Sequence, residues 1–576
     1  MAGRFAVLVR DLGLSLFVAL GMAGQAWAQA YLPDGPNVPL VTLNEGQSGA
    51  AGLPPLPVPP PNGWDQQSIW NMQVVGFNDN QGRASSDDGW IEDENGRYIA
   101  YVADSPGSAP NPLTGQPEPN GTSLIDVTNP AKPVFLHHIP AVIPGSSGST
   151  HVAVCGGATL PGVKNQNKWF LIRHSGSVDQ EIWDVSDPSN PSMISVLIGG
   201  PNAVSSSLTG GRYLTANHHI WWECDTGVAY VIAQSDLKGS PLNWNETGSK
   251  QHIYIYDLSN PYNPAFIREF GLVGQQPGAV NSGSCYNAPG PNCYEGNTNP
   301  PGGIHQVYSA GLYNNRVYLP YGVGADGVVQ VVDRTKLLTG CTVAGASANC
   351  ADFPTQADLL YPQISYITMK TTQGAHTSIP IFGIPIPEMQ ANYLDGTPQK
   401  WDLLAITSEQ TANDCAPQDW KNPQLLDITP STNSNGVPTE TLWPISTLPV
   451  GQFPGDFCNK GARFGIHELN REIYAPYYGR LIVAAYFNAG LHVWDIRDPY
   501  SPRQVAYFIQ APNANTLPNC SSTNPSYCRA ATFSDLGEVD DRGYIYNMDR
   551  AGSGLTILKL TGNAAHVVTG QGDEGH

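Results

Sequence analysis

The chain has 576 residues, with 61 Gly and 50 Pro but only 13% charged residues, and a formal net charge of −20. That balance argues against a nucleic-acid partner, whose phosphates need Lys/Arg surfaces, and against docking on anionic lipid. A content of 41% hydrophobic residues is enough for a packed core, and the Gly/Pro-punctuated runs of Val, Ile, Tyr and Trp predict an all-β fold.

Residues 1–28 read as a secretory signal peptide. Arg4 and Arg10 supply a basic start, Leu12 to Ala23 an apolar stretch, and Ala26-Trp27-Ala28 a small-x-small cleavage site. The apolar stretch is too short for a membrane span, and no later segment is long enough. The expectation is a mature protein that starts near Gln29 and is exported by a bacterium to the periplasm or beyond. Residues 29–63, with Leu53-Pro54-Pro55-Leu56-Pro57-Val58-Pro59-Pro60-Pro61, read as an extended Pro-rich linker or strap.

From residue 64 a phrase repeats: a short apolar run ends in Asp, and an Asn/Asp-Pro turn usually follows. It appears as Ser123-Leu124-Ile125-Asp126, Glu181-Ile182-Trp183-Asp184, Ile255-Tyr256-Asp257 and His492-Val493-Trp494-Asp495, with weaker copies ending at Asp333 and Asp427. A seventh strand, Gly554 to Leu560, lacks the Asp-Pro turn. After most clear turns comes an outer-strand phrase such as Pro133-Val134-Phe135-Leu136. The seventh module has none, but an orphan strand of that type stands at the other end, Asn71 to Phe77. Circular closure follows: a seven-bladed β-propeller over 64–562, with the N-terminal strand completing the last blade. Residues 563–576 read as a polar tail. Insertions at 200–214, 273–302, 340–358, 379–400 and 410–462 are loop candidates.

Ten cysteines suit an oxidising compartment. Cys285/Cys293, Cys341/Cys350 and Cys520/Cys528 are close in sequence within turn-rich loops. Cys415 and Cys458 flank one insertion, and Cys155 and Cys224 occupy similar places in successive modules. With no Cys-x-x-Cys, a thiolate zinc site is not expected.

Five modules carry a histidine where the innermost strand should begin: His151, His219, His305, His376 and His467. In a propeller those positions ring the central axis, so the register predicts converging imidazoles, a donor set that suits iron, copper or zinc. Carboxylates expected to orient them are Glu223, Glu468, Asp87 and Asp88. The first and last modules offer Asp87/Asp88 and Asp535/Glu538 in place of His. A structural alternative exists, because duplicated blades also copy histidines that merely fill the channel. His137, His138, His174, His252 and His492 fall off the register and are expected to pack or to face solvent.

The phrase resembles the LVIVD-repeat proteins, exported bacterial β-propellers. The resemblance covers most of 70–560 and is strongest from Phe464-Gly465-Ile466-His467-Glu468-Leu469-Asn470-Arg471 through Asp495-Ile496-Arg497-Asp498-Pro499. In layout alone, the axial histidines are also similar to those of the carotenoid cleavage oxygenases and of the selenium-binding protein and methanethiol oxidase family. That likeness implies an iron- or copper-dependent oxidoreductase acting on a small organic substrate, with O2 as co-substrate. Two other readings stand beside it. One is a non-catalytic propeller binding a protein or glycan at the cell surface. The other is a hydrolase built on paired carboxylates such as Asp87-Asp88, Asp540-Asp541 or Glu92-Asp93. The single GxGxxG match, Gly322 to Gly327, runs into a strand and reads as a turn, because a dinucleotide fingerprint needs a helix there.

Overall fold

In five of the six repeats with a landmark Asp, that residue does the same local job. Asp126, Asp184, Asp257, Asp427 and Asp495 each accept the backbone N–H two residues on, at 2.8–3.1 Å. The Asn or Asp before Pro repeats the trick, as Asn129 does for Ala131 and Asp187 for Ser189. Side-chain carbonyls that mimic a backbone turn reverse the chain after a strand. Asp333 departs from the phrase and instead caps the helix Arg334–Thr339 by accepting from the Lys336 N–H at 2.9 Å.

In the computed structural model these turns join seven four-stranded antiparallel sheets. It describes residues 67–569 except 142–147, 177–178, 198–203, 206–211, 235–243, 245–250, 277–302, 371, 386–399, 412, 414–420, 433–437, 451–456, 472–475 and 521–527. Blade 1 runs Ser85–Asp93, Tyr98–Asp104, Gly121–Asp126 and Val134–Pro140 from axis to rim. Blades 2 to 5 begin at the axis with Val152–Gly156, Thr215–Trp222, Tyr308–Ser309 and Ser378–Pro385. The expected insertion at 379–400 therefore starts with the inner strand of blade 5. Second strands such as Val228–Gln234 pack against a neighbouring blade on each face, so they read as continuous apolar runs. Fourth strands such as Val134–Pro140 are half-exposed and more polar.

Closure goes one step beyond the expectation. Met72–Asn78 pairs with Gly554–Leu560 and completes blade 7, as the sequence implies. Just before it, Ser68–Trp70 pairs with Arg503–Ile509 and is the outer, fourth strand of blade 6. Asn71, at φ 50°, turns the chain from one blade to the next. The tail also differs: Gly562–Thr569 forms a helix that buries Ala564 and Val567 against the cluster shared by blades 6 and 7.

Disulfides join Cys155 to Cys224, linking blades 2 and 3, and Cys341 to Cys350 in the blade 4 insertion. Cys520 is disulfide-bonded, and its backbone lies opposite Cys528. Cys285, Cys293 and Cys415 lie outside the described residues, and nothing is described of the Cys458 side chain. No helix among the described residues is long and apolar enough to cross a membrane.

Candidate functional site

Local sequence delivers the histidines to the axis. Gly374 sits so close to blade 4 that a Cβ there would meet the Gly322 carbonyl oxygen at 1.9 Å, so only glycine lets the next strand start beside it. The following N–H groups then lock on: Ala375 donates to Gly322 and His376 to Thr407. Gly465, at φ 143°, similarly starts the segment in which His467 donates to Ala485. The GxGxxG match is the hairpin between Arg316–Tyr321 and Val328–Asp333, as expected of a turn.

Five register histidines do converge, and two more join them. Ring centroids are 4.9 Å apart for His376/His467, 5.6 Å for His305/His376 and 4.2 Å for His218/His305. They are 5.8 Å apart for His151/His218, 4.4 Å for His151/His219 and 6.4 Å for His151/His174. His174 corrects the sequence reading, which sent it to packing or surface. It lies one strand out from the axis, directly opposite Gln180, and is fully buried. His218 reaches the axis beside His219 because the inner strand of blade 3 bulges between Thr215 and His219. The same irregularity between Ser85 and Gly89 brings Asp87 and Asp88 inward together. Two consecutive titratable residues at one register position were the signal for such a bulge.

Carboxylates close the ring where blades 1 and 7 lack histidine. Asp87 stands 3.3 Å from His218 Nε2 and 3.9 Å from His467 Nε2. Asp88 lies against His151 Nδ1, without hydrogen-bond alignment, and pairs with Arg471. Glu468 is within 4.0 Å of both His376 and His467 and accepts from Gln306. The repeat pattern marks Asp535 only as a stand-in for His, and Glu409, Arg550 and Arg471 carry no repeat signal at all. Glu223 is corrected: it belongs to a separate buried cluster, accepting from Arg334, Tyr230, Ser309 and Thr226 between blades 3 and 4.

Burial governs the charge states. It drives His151, His174, His219, His305 and His376 well below the ordinary histidine value of 6.5, so they are neutral. His467 moves the same way. Burial would also lower His218, but its bond to Asp87 prevails and raises it. Burial would raise Asp87, but Arg550 and His218 pull it well below the usual range. Burial pushes Asp88, Glu468 and Asp535 upward, against the opposing pull of Arg471 or Arg550.

Ring nitrogens decide what the cluster can do. His467 Nδ1 sits 2.7 Å from the Asp535 carbonyl and donates to it, leaving an Nε2 lone pair toward the axis. His174 Nδ1 and Nε2, His151 Nε2, His219 Nε2, His305 Nε2 and His376 Nε2 are buried without a hydrogen-bond partner. His219 is the weakest donor, because its Nδ1 accepts a long 3.4 Å bond from Val307 that a ring ligating through Nε2 would have to give up. His376, Glu409 and His467 bring three ligand atoms within 4.8 Å of one another, as do Asp87, His467 and Asp535. The second trio is already neutralised by Arg550, which contacts both aspartates. In the first trio Glu409 is paired with Arg463, and its remaining oxygen with His376, His467 and the nearby His305 makes a donor set that fits iron, copper or zinc. A small cavity beside His219, lined by Trp221, Gln306, Tyr308 and Arg471, has room for about one water. Of the carboxylate pairs that a hydrolase would use, Asp87 and Asp88 lie in the axial cluster, paired with Arg550 and Arg471, whereas Glu92 accepts from Trp90, Asp540 holds Arg542 and Tyr546, and Asp541 accepts from Tyr98.

No protein-family model matches the chain, and no curated protein does. Among solved structures it is similar to the β-propeller domain of Cps50 (Swd1) from Myceliophteria thermophila, at 9% identity and a TM-score of 0.41. It is likewise similar to the WD40 repeats of RRP9, at 9% identity and a TM-score of 0.42. Each match covers 86% of this chain and 100% of the other. Likeness at that level says nothing of function; the seven sheets themselves define the protein as a β-propeller.

Proposed function

We propose that this chain is an exported β-propeller oxidoreductase that holds iron or copper at its axis and acts on a small organic substrate with O2. One observation carries the reading: buried imidazoles converge with their outer nitrogens unpartnered. Each such nitrogen costs roughly 1–3 kcal/mol of unrecovered desolvation, and a bound cation recovers it. His305, His376 and His467 would hold the ion, with Glu409 beside them. The ion would supply one-electron redox chemistry and Lewis acidity.

The chain's own groups prepare the place. The Asp535 carbonyl fixes the His467 tautomer. Arg550 and Asp87 form a charge pair beside the rings, so the ion meets little net repulsion. The His218 side chain is 15% exposed and marks where the cluster meets solvent. Elemental analysis of untagged protein is the test. Near-stoichiometric iron or copper, together with O2 uptake that disappears in a His305→Ala/His467→Ala variant, is the expected result. A folded protein that takes up neither metal would overturn the reading.

A second reading is a non-catalytic propeller that docks a partner. It is favoured by large apolar side chains exposed at turns and strand ends, Leu312 at 70%, Tyr313 at 72% and Trp443 at 65%. Retention of a partner by the metal-free protein, lost in Tyr313→Ser/Trp443→Ser, would support it.

A further inference from the structure

A guanidinium can hold a carboxylate side-on through Nε and Nη2, two parallel donors along one edge. Arginines across this propeller use that edge on its own carboxylates. Arg173 gives both nitrogens to Glu181, Arg334 gives both to Glu223, and Arg497 gives both to Asp495. Arg316 does the same with Glu440.

Arg463 and Arg550, at the axis, do not. Arg463 donates through Nη1 alone, to Glu409 and to the Gln410 carbonyl. Arg550 also donates through Nη1 alone, to Asp87 and Asp535. Among the described residues, Nε and Nη2 of these two arginines have no hydrogen-bond partner, yet they are not buried atoms. The side chains are 26% and 29% exposed, so the open edges meet solvent.

Both cations sit one carboxylate out from the imidazoles. Glu409 lies between Arg463 and His376, whose Nε2 is 4.0 Å from it. Asp87 lies between Arg550 and the rings of His218 and His467, at 3.3 and 3.9 Å. Glu409 also acts electrostatically on Arg550, so the two guanidiniums share one neighbourhood. Arg463 is further seated on an aromatic stack, 5.4 Å from the Phe487 ring and 5.9 Å from Phe533. His467 continues that stack, 4.7 Å from Phe487. A guanidinium held on both sides loses little freedom when it receives a ligand.

Charge and shape select the ligand. The chain carries −20 overall, which makes most of its surface hostile to anions. At the axis Arg463 is balanced by Glu409 and Arg550 by Asp87, so a dianion finds no surplus of positive charge. A planar monoanion fits two parallel N–H donors, and the proposed ion adds to its attraction.

We infer that the small organic substrate of the axial site is a monocarboxylate, whose carboxylate is received by the open Nε/Nη2 edges of Arg463 and Arg550. The inference rests on the reading of the axis as a metal-dependent site and adds the chemical class of its substrate.

The test is binding of benzoate to the full chain, metal-loaded and metal-free, measured by titration calorimetry beside benzamide, its neutral isostere, and inorganic phosphate. Benzoate should bind metal-loaded wild type about 10- to 100-fold tighter than either. Arg463→Gln and Arg550→Gln, with the fold checked by circular dichroism, should each erase most of the preference for benzoate over benzamide. Arg463→Lys should restore little of it, because an ammonium has the charge without the fork. Arg480→Gln is the control: Arg480 also donates only through Nη1, to the Val568 carbonyl, but beside the C-terminal helix. Its loss should leave benzoate affinity unchanged. Equal affinity for benzoate and benzamide in metal-loaded wild type, or an equal loss in Arg480→Gln, would overturn the inference. Phosphate bound as tightly as benzoate would overturn the monocarboxylate. Iron or copper uptake without a benzoate preference would defeat this inference alone. An arginine-dependent benzoate preference in protein that takes up no metal would remove the metal reading and keep the carboxylate site. Should Arg550→Gln fail to fold, Arg463→Gln decides the matter.

Discussion

Two kinds of buried histidine occupy this propeller, and they are treated oppositely. Inside the blades two rings, His252 and His492, have partners. His492 contacts the Ala489 carbonyl at 3.1 Å and Gln504 at 2.8 Å, while His252 contacts Glu269 and stacks on Trp244 at 4.3 Å. At the axis, equally buried rings keep bare nitrogens. A fold that can pair His252 and His492 could have paired His305 or His376, or replaced them with leucine. Keeping them bare sacrifices stability, a cost that the proposed metal site would account for.

The contrast can be broken by substitution. The largest effect belongs to metal uptake: His305→Ala/His467→Ala should weaken it by more than about 100-fold, beyond what loss of an outer partner does, whereas His252→Ala should leave it unchanged. Equal losses in both variants, read by competitive chelator titration, would dissolve the distinction. In denaturant unfolding the order should reverse. His252→Ala removes one of two buried partners of Glu269, leaving Trp244, and should cost about 1–3 kcal/mol.

Acidification sharpens the blade side. Burial lowers His492 to about 3 from an ordinary 6.5. The unfolded chain therefore binds a proton that the folded chain refuses. Stability contributed by neutral His492 is present above 6.5 and falls as pH drops from 6.5 towards 3, by about 1.4 kcal/mol per unit. His492→Gln should flatten that slope and retain metal; an unchanged slope would contradict the assignment.

The smallest effect is the most discriminating. In metal-free protein, His376→Leu should be neutral or stabilising by about 1–2 kcal/mol, because it removes an unpartnered nitrogen from the interior. With metal present, the sign should invert. A clear loss of stability without metal would mean that His376 fills the channel as a structural residue.

Fold and site were not equally legible in the sequence. The Asp turns act within two residues, so Asp126 or Asp257 announces its blade without knowledge of the rest. Five axial histidines were legible for the same reason, since each sits at one place in a repeated unit. What escaped depends on contacts between distant modules. Asp88 meets Arg471 across 383 residues and Asp87 meets Arg550 across 463, separations that leave no local pattern. His174 escaped because it lies on a second strand and reaches the cluster sideways. Glu223 misled because proximity to His219 in sequence placed it near the axis, whereas Arg334 claims it. The outer strand Ser68–Trp70 was too short for any alternation to show.

The double pairing of the N-terminal segment fixes an order of events in time. Ser68–Trp70 and Met72–Asn78 leave the ribosome among the first residues of the propeller, yet their partners are Arg503–Ile509 and Gly554–Leu560. Early blades can fold as they emerge, but the first-made strands must stay unpaired until nearly the last residues exist. The ring is thus sealed in one late step of high sequence separation, the slowest kind of contact to form. Until that step, blades 6 and 7 have bare edges, and a chain cut short before Leu560 would have an open seam ready to pair with another copy.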